Sequence, residues 1–527
     1  MHGAELTVWG MLVALGVLLL LGYRTRLPYP ILLVVGGLAL GFIPGVPEVR
    51  LDPDLVLLVF LPPLLYAAAF FSSLRDLKQN VRPISLLSIG LVVVTTAAVA
   101  GIGHALIEDL SWSAAFVLGA VVSPTDPVAA TAVLARFGVP RRVVTIVEGE
   151  SLVNDATALV IYKIAVVAVV SGGFSVWEAG GRFLLDAAAG AAIGVAVGWV
   201  IGHVRVRLED PPTEILISIL TPYLAYLPAQ RLGVSAVLAA VAVGIYLGWR
   251  APWLASPTTR LQSFPVWEIL VLLLNAALFM MLGLQLRHIL DDLSGFSALT
   301  LVGYGALVSA VVVATRLALV FPLTYLPRML FRRFREGTSA PPAELPLLVA
   351  WTGMRGAVSL AAALAIPVTV NGGGGFPARE LIVFLTFCVI LSTLLLQGLS
   401  LPWLITRLDV EEDGASEREE AKARMVAAQA AMERLDELER EGWVRGDTAE
   451  RTRALFGYRR DRFASRYEDG AQGVFEERSI AYQRLQREML EAQRRAVVEL
   501  RNSGRINDEV MHRVERDLDL EDSRLEI

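Results

Sequence analysis

Cysteine is nearly absent from this chain of 527 residues: only Cys388 occurs, inside an apolar run. An intramolecular disulfide and a cysteine-built metal cluster are therefore both excluded. No basic block stands clear of acidic residues, and with a net charge of −5 nothing points to nucleic acid. A cleavable signal is not expected, because residues 1–6 carry no positive n-region and no clean small-residue cleavage site follows. Charge is also scarce, at 19% overall against about a quarter in soluble proteins. That scarcity is uneven. Residues 1–408 hold 25 Lys+Arg and 22 Asp+Glu, whereas 409–527 hold 22 and 30. No nucleophile–base pair stands out, so an enzyme is not expected.

What remains is mostly apolar: 55% of residues are hydrophobic, and the mean hydropathy is +0.56. A bilayer core needs roughly 20 apolar residues per helix. Candidate spans lie near 7–22, 29–44, 54–71, 84–107, 112–135, 144–170, 182–204, 213–228, 233–248, 264–286, 297–325, 344–367 and 380–405. The expectation is an all-α polytopic membrane protein of about thirteen transmembrane helices over 1–408, followed by a polar helical domain over 409–527. Loops after odd-numbered spans, with Arg407 after the last, carry 17 Lys or Arg, and loops after even-numbered spans carry 5. The positive-inside rule then puts the N-terminus outside the cell membrane and the acidic tail in the cytoplasm.

Thirteen spans allow two six-helix units of opposite topology separated by one helix, the arrangement of inverted-repeat transporters. Their fifth members, spans five and twelve, are both interrupted. One reads Ser123-Pro124-Thr125-Asp126-Pro127 and the other Thr352-Gly353-Met354-Arg355-Gly356. Proline removes a backbone donor and glycine loosens the helix, so unwound backbone at mid-membrane is expected at both. Asp126 beside one break and Arg355 beside the other can offset the partial charges of half-helix ends. The alternative is a pair of ordinary kinks.

Ionisable groups at bilayer depth are costly and point to function. Span six holds three carboxylates in eight residues, Glu148-Gly149-Glu150-Ser151-Leu152-Val153-Asn154-Asp155. Ser151 and Asp155 share a helix face, as do Glu148 and Asp155. Oxygen donors with no histidine or cysteine nearby suit hard cations rather than zinc. Desolvation favours the protonated form of a carboxylate and a nearby cation favours the ionised form, so one Asp can hold either a proton or a metal ion. The other reading of these acids is structural ion pairing between helices.

The Ser123 to Pro127 and Glu148 to Asp155 segments resemble the signature of the cation:proton antiporter family, in the branch of bacterial NhaP-type antiporters and sodium/proton exchangers. Gly353-Met354-Arg355-Gly356-Ala357 and the stretch Phe279 to Leu286 add matches, so the likeness runs through nearly all of 1–408. It implies a thirteen-helix fold, crossed broken helices in a moving core, a homodimer, and exchange of Na+ for H+ with no cofactor. K+/H+ exchange stays open, as does, in another class, a channel or a sensor acting through the tail. Asp155 resembles the carboxylate that carries cation or proton. Asn154 matches the Asn-Asp pair associated with electroneutral exchange. Ser151 and Thr125 resemble further Na+ ligands, and Asp126 a residue that orients the site or coordinates through water. Glu150 and Arg316 resemble a structural charge pair, and Arg355 the charge that compensates the crossed helix ends. Ala67 departs from the pattern, since several relatives carry an acid there.

Weaker signals are Glu268 and Asn275, which share one face of span ten and either line the core or bond between helices. Lys163 either snorkels or competes with the cation as an internal charge. The glycine run at 371–375 reads as a flexible outer loop. In the tail, Ser416 and Asp447 are expected N-caps. Met425, Ala428, Met432, Leu435 and Leu438 form an apolar stripe. Helix breaks are expected near 442–446, 470–473 and 503–504. An assembly domain and a ligand sensor both fit such a tail.

Overall fold

The computed structural model describes residues 2–25, 27–43, 52–108, 110–171, 176–208, 210–291, 293, 295–330, 341–370, 374–410, 414–469, 474–523 and 525. Arg26, Arg50, Arg332, Arg333 and Arg335 of the loop charges lie outside them, as do residues 371–373 of the glycine run and the tail break at 470–473. The chain divides into two compact units, 1–411 and 412–527.

The first unit is helical. Its helices are α1 (His2–Thr25), α2 (Tyr29–Gly41), α3 (Pro53–Phe71), α4 (Val81–Leu106), α5 (Trp112–Val122), α6 (Pro127–Leu134), α7 (Arg141–Ser171) and α8 (Val176–Arg205). They continue as α9 (Pro211–Arg231), α10 (Ala236–Leu254), α11 (Pro257–Leu284), α12 (Ala298–Leu330), α13 (Glu344–Trp351), α14 (Ala357–Leu364) and α15 (Arg379–Arg407). In lipid every backbone polar group must be satisfied within the protein, which is why apolar runs of this length become helices. Nine helices among the described residues are long and apolar enough to cross a membrane, and Gly10–Thr25 and Tyr29–Gly41 are shorter apolar helices. The other two expected spans correspond to α9, with Pro222 and Pro228 inside it, and to the interrupted pair α13–α14. By length and apolarity alone nine helices among the described residues qualify, so the exact count of thirteen is not confirmed. Proline leaves its mark in α3 as well, where a π-helical turn at Val56–Phe60 precedes Pro62 and Pro63.

Both expected interruptions are present. Span five is α5 and α6 with Ser123 to Asp126 unwound between them, and span twelve is α13 and α14 with Thr352 to Gly356 between them. The breaks meet. The amide of Asp126 donates to the carbonyl of Met354 at 2.8 Å. Two groups of helices pack around them. A large apolar core draws on α2, α4 to α7 and α11 to α15, with Val56 and Phe60 at the start of α3, and a second holds Tyr66, Ala225, Val243 and Trp267 where α3, α8, α9, α10 and α11 meet. The only β pairing among the described residues is a single bridge between Thr369 and Gly375, the last residue of the glycine run.

The second unit contains α16 (Ala415–Arg440), α17 (Gly446–Asp469), α18 (Val474–Asn502) and α19 (Asp508–Ser523). Ala421, Ala428 and Leu435 are buried at seven-residue steps along α16, which packs on α17. Arg453 of α17 bonds Asp436 at 2.7 Å and Glu439 at 2.6 Å on α16. The N-cap expectations fail. Ser416 and Asp447 both lie inside the first turn of their helices, and α16 is capped instead by Gly414 in the left-handed region. There the backbone at φ 61 requires no side chain, and glycine enters it freely.

Candidate functional site

Asp126 owes its position to local chemistry. Pro127 starts α6 with its φ already helical, and the Asp126 carboxylate accepts from the amide of Val128 at 2.9 Å as the N-cap. The same carboxylate lies against Gly356, where a methyl group would collide with it. Gly353 similarly leaves room for the side chain of Arg316. The glycines of the second break therefore make space for charges from elsewhere in the fold.

The two arginines close the C-terminal ends of the half-helices, where carbonyls lack partners and the helix dipole is negative. Arg355 donates through Nε to the carbonyl of Val122, at the end of α5, at 3.0 Å. It also bonds the carbonyl of Gly353, and its own amide donates to Thr393 Oγ1 at 3.1 Å. Arg316 does the same for α13, donating to the carbonyls of Val349 at 2.9 Å and Ala350 at 3.2 Å. Its remaining donors hold Glu150 from both sides, at 2.5 and 2.8 Å. Both partners are buried.

Glu150 then extends the network to the first break. Thr125 Oγ1 donates to Glu150 Oε1 at 3.2 Å, and Asn154 Nδ2 donates to Thr125 Oγ1 at 2.8 Å. The Thr125 hydroxyl is thereby committed to α7. Asn154 Oδ1 is buried without a hydrogen-bond partner among the described residues.

Asp155 differs from Asp126 and Glu150, whose carboxylates accept hydrogen bonds. It is 7% exposed, and no hydrogen bond reaches its carboxylate among the described residues. It sits at the wall of a cavity of about 610 Å³, with Ser151, Thr125 and Asp126. The far wall is α3 and α11, including Ala67, Trp267, Glu268 and Asn275. The cavity reaches toward the start of α7 at Glu148, the start of α11 at Phe264 and the end of α3 at Phe71. On its other side Asp155 borders a pocket of only about 10 Å³, closed by Leu159, Tyr162 and Val358. A space of that size holds about one water. Asp155 is open on one side and sealed on the other.

The structure thus brings together Thr125, Asp126, Glu150, Ser151, Asn154, Asp155, Arg316 and Arg355. It leaves Lys163 exposed and away from the residues that line the cavity. Glu268 and Asn275 both line it, opposite Asp155. Thr393 and Tyr29 join the site without any sequence signal, being an ordinary hydroxyl in an apolar helix and a tyrosine at a helix start. A second buried charge pair was also not foreseen. Arg205 of α8 and Glu214 of α9 stand 3.7 Å apart in the second core, and Thr259 of α11 donates to Glu214 at 3.1 Å. Arg205 was indistinguishable from the loop charges that set orientation.

Comparison with known proteins places the chain in a family. A family model described as "Sodium/hydrogen exchanger, transmembrane" matches residues 11–407. A protein of Mycobacterium tuberculosis named an uncharacterized Na(+)/H(+) exchanger is 37% identical over 511 residues, 96% of this chain and 93% of that one. The sodium, potassium, lithium and rubidium/H(+) antiporter of Bacillus subtilis is 33% identical over 388 residues, 72% of this chain and 58% of that protein. Among solved structures, the sodium proton antiporter MjNhaP1 of Methanocaldococcus jannaschii shares the fold. The TM-score is 0.58 at 18% identity, covering 77% of this chain and 99% of that one. With broken helices crossing beside a buried carboxylate, the chain belongs to the sodium/hydrogen exchanger family of membrane antiporters.

Proposed function

We propose that the protein exchanges Na+ for H+ one for one, with Asp155 as the group that carries either. The observation that carries this reading is the buried Asp155 carboxylate, which no described hydrogen bond engages, standing between a cavity of about 610 Å³ and a pocket of about 10 Å³. A carboxylate left without donors gains from a proton or from a cation, and the two compete for the same oxygens. Ser151, one turn away on the same face of α7, supplies a hydroxyl to the cation. Thr125, whose hydroxyl is bonded to Glu150 and Asn154, is left with its carbonyl as a ligand. Asn154 does not titrate, so the Asn-Asp pair carries one exchangeable charge, which suits an electroneutral cycle.

Alternating access follows from where the ties run. The bonds named above link α5, α6, α7, α12, α13, α14 and α15 into one body, and each of them stays on one side of the cavity. Sliding that body against the wall of α3 and α11 would close the cavity and open the small pocket, moving Asp155 from one side of the membrane to the other. Arg75 follows the end of α3, Arg141 begins α7 and Arg260 lies in the first turn of α11, the ends toward which the cavity reaches. With the positive-inside rule, the cavity is then open to the cytoplasm, with the N-terminus outside and the tail inside. Crosslinking in membranes tests the homodimer that the family resemblance implies.

The test is transport by the full-length protein in liposomes. An imposed Na+ gradient should drive proton movement, and clamping the membrane voltage at different values should leave the rate unchanged. Strong voltage dependence overturns the one-for-one cycle, and cation flux without counter-movement of protons overturns exchange. A Bacillus subtilis relative is named for potassium among four cations, so the same assay with K+ in place of Na+ decides between the two cations.

A further inference from the structure

The membrane unit also holds a cavity larger than the one beside Asp155. A groove of about 770 Å³ lies between α4, α7, α12 and α13, at the ends where α4 and α7 begin. Most of its lining is aliphatic, including Leu86, Val143, Ile146, Val320, Leu323 and Leu345. Its charged lining residues, among those described, are Arg82 and Arg142, with no Asp or Glu. The nearby acid Asp76 is bonded to Arg141 at 2.8 Å. Arg142 is oriented by donating through Nε to Asn80 Oδ1 at 3.2 Å.

Helices that cross a bilayer end at headgroup depth. An apolar trough that runs from that depth into the membrane, with cations at its outer end, matches an acyl chain below a negative headgroup. We infer that this groove binds one anionic phospholipid of the surrounding leaflet, its phosphate on Arg82 and Arg142 and a chain along Val320, Leu323 and Leu345. One feature singles out lipid over a soluble anion: the apolar wall is far larger than a phosphate needs. Val349 lines it too, and the carbonyl of Val349 accepts from Arg316 at 2.9 Å. The lipid would therefore lie against the helix end that Arg316 holds, and its binding does not depend on which ion Asp155 carries.

The experiment measures binding rather than transport. Delipidated full-length protein is offered phosphatidylglycerol or phosphatidylcholine, and retained lipid is counted by native mass spectrometry. Phosphatidylglycerol should be retained preferentially, with the preference falling about fivefold in Arg82→Gln. Leu323→Trp, which fills the apolar part, should reduce retention of phosphatidylglycerol with both arginines intact. Equal retention of the two lipids by the unaltered protein overturns the proposal, and this arm needs no variant. Unchanged retention in Leu323→Trp overturns it as well. Displacement of the lipid by equimolar inorganic phosphate would make the site one for a free anion instead.

Discussion

Glu150 and Arg316 form a bidentate pair at 2.5 and 2.8 Å, whereas Arg205 and Glu214, just as deeply buried, stand 3.7 Å apart. Each guanidinium nitrogen of Arg316 donates, to Glu150 or to the carbonyls of Val349 and Ala350. Arg205 Nε and Glu214 Oε2 have no hydrogen-bond partner among the described residues. The difference follows the helices around them. In the first region two helices stop at mid-membrane, and their exposed carbonyls have no water to turn to, so arginines must reach them. In the second, α8 ends and α9 begins at a membrane surface, where nothing comparable has to be satisfied. The tight pair thus holds the helix breaks, and Thr125 and Asp126 of the first break line the same cavity as Asp155.

The comparison is broken most directly at the site itself. Asp155→Asn keeps the shape of the side chain and removes its ability to exchange a proton for a cation. Na+-driven proton movement in liposomes should fall to the level of empty vesicles, with the purified protein eluting as before. Persistent exchange would move the carrier role to another acid, and Asp126 and Glu148 in the same cavity are where to look. The next largest effect is expected at the tight pair. Glu150→Gln leaves Arg316 buried without its counter-charge, and breaking a buried pair at one partner costs about 3–5 kcal/mol. Folded yield and melting temperature in detergent should both drop sharply. An unchanged melting temperature would show that the carbonyls of α13 suffice for Arg316.

How much of this was legible beforehand depended on what made a residue stand out. Asp155, Glu150 and Arg316 are charges in apolar runs, and Pro124 and Gly353 mark breaks, so composition along the chain exposed them. The pairing of Glu150 with Arg316, 166 residues apart, came from resemblance, because spacing holds no information about contacts between distant helices. Thr393 and Tyr29 were invisible for the same reason. Arg205 was misleading: charges at helix ends set orientation in the tally, and only packing shows that this one turns inward to Glu214. The count of thirteen was read from apolar runs, with the alternation of charges in support. Measured by length and apolarity, the proline-containing α9 and the divided α13–α14 do not qualify. In the tail the apolar stripe of α16 was readable, but its start was not, because a glycine in the left-handed region needs no capping side chain.

A smaller effect is expected where the breaks touch. Gly356 has an ordinary φ of −126, so Gly356→Ala strains nothing in the backbone. Its methyl group would nonetheless overlap the Asp126 carboxylate. Overpacking of this kind costs about 1–3 kcal/mol, less than breaking the Glu150 pair. The displaced carboxylate should also loosen the cap of α6, so Na+ affinity should fall along with the melting temperature. A fall in melting temperature with unchanged Na+ affinity would confine Asp126 to capping.

The smallest effect tests the comparison from its other side. Replacing a buried ion pair by apolar residues of similar volume is often neutral or stabilising. At the loose pair, Arg205→Met together with Glu214→Leu removes two poorly satisfied charges. Thr259 keeps a partner in Ser256 Oγ at 2.8 Å, so no polar group is newly stranded. The melting temperature should stay the same or rise slightly, and exchange should continue. The same treatment of the tight pair, Arg316→Met with Glu150→Leu, also cancels the charge. It strips the carbonyl of Ala350 of the Arg316 donor, leaves that of Val349 with Thr352 Oγ1 at 3.0 Å, and deprives Thr125 of the Glu150 acceptor. Each buried group left unmatched costs about 1–3 kcal/mol, so this second double replacement should be clearly destabilising. Equal outcomes at the two pairs would mean that charge cancellation alone matters, and that the helix breaks place no special demand on Arg316.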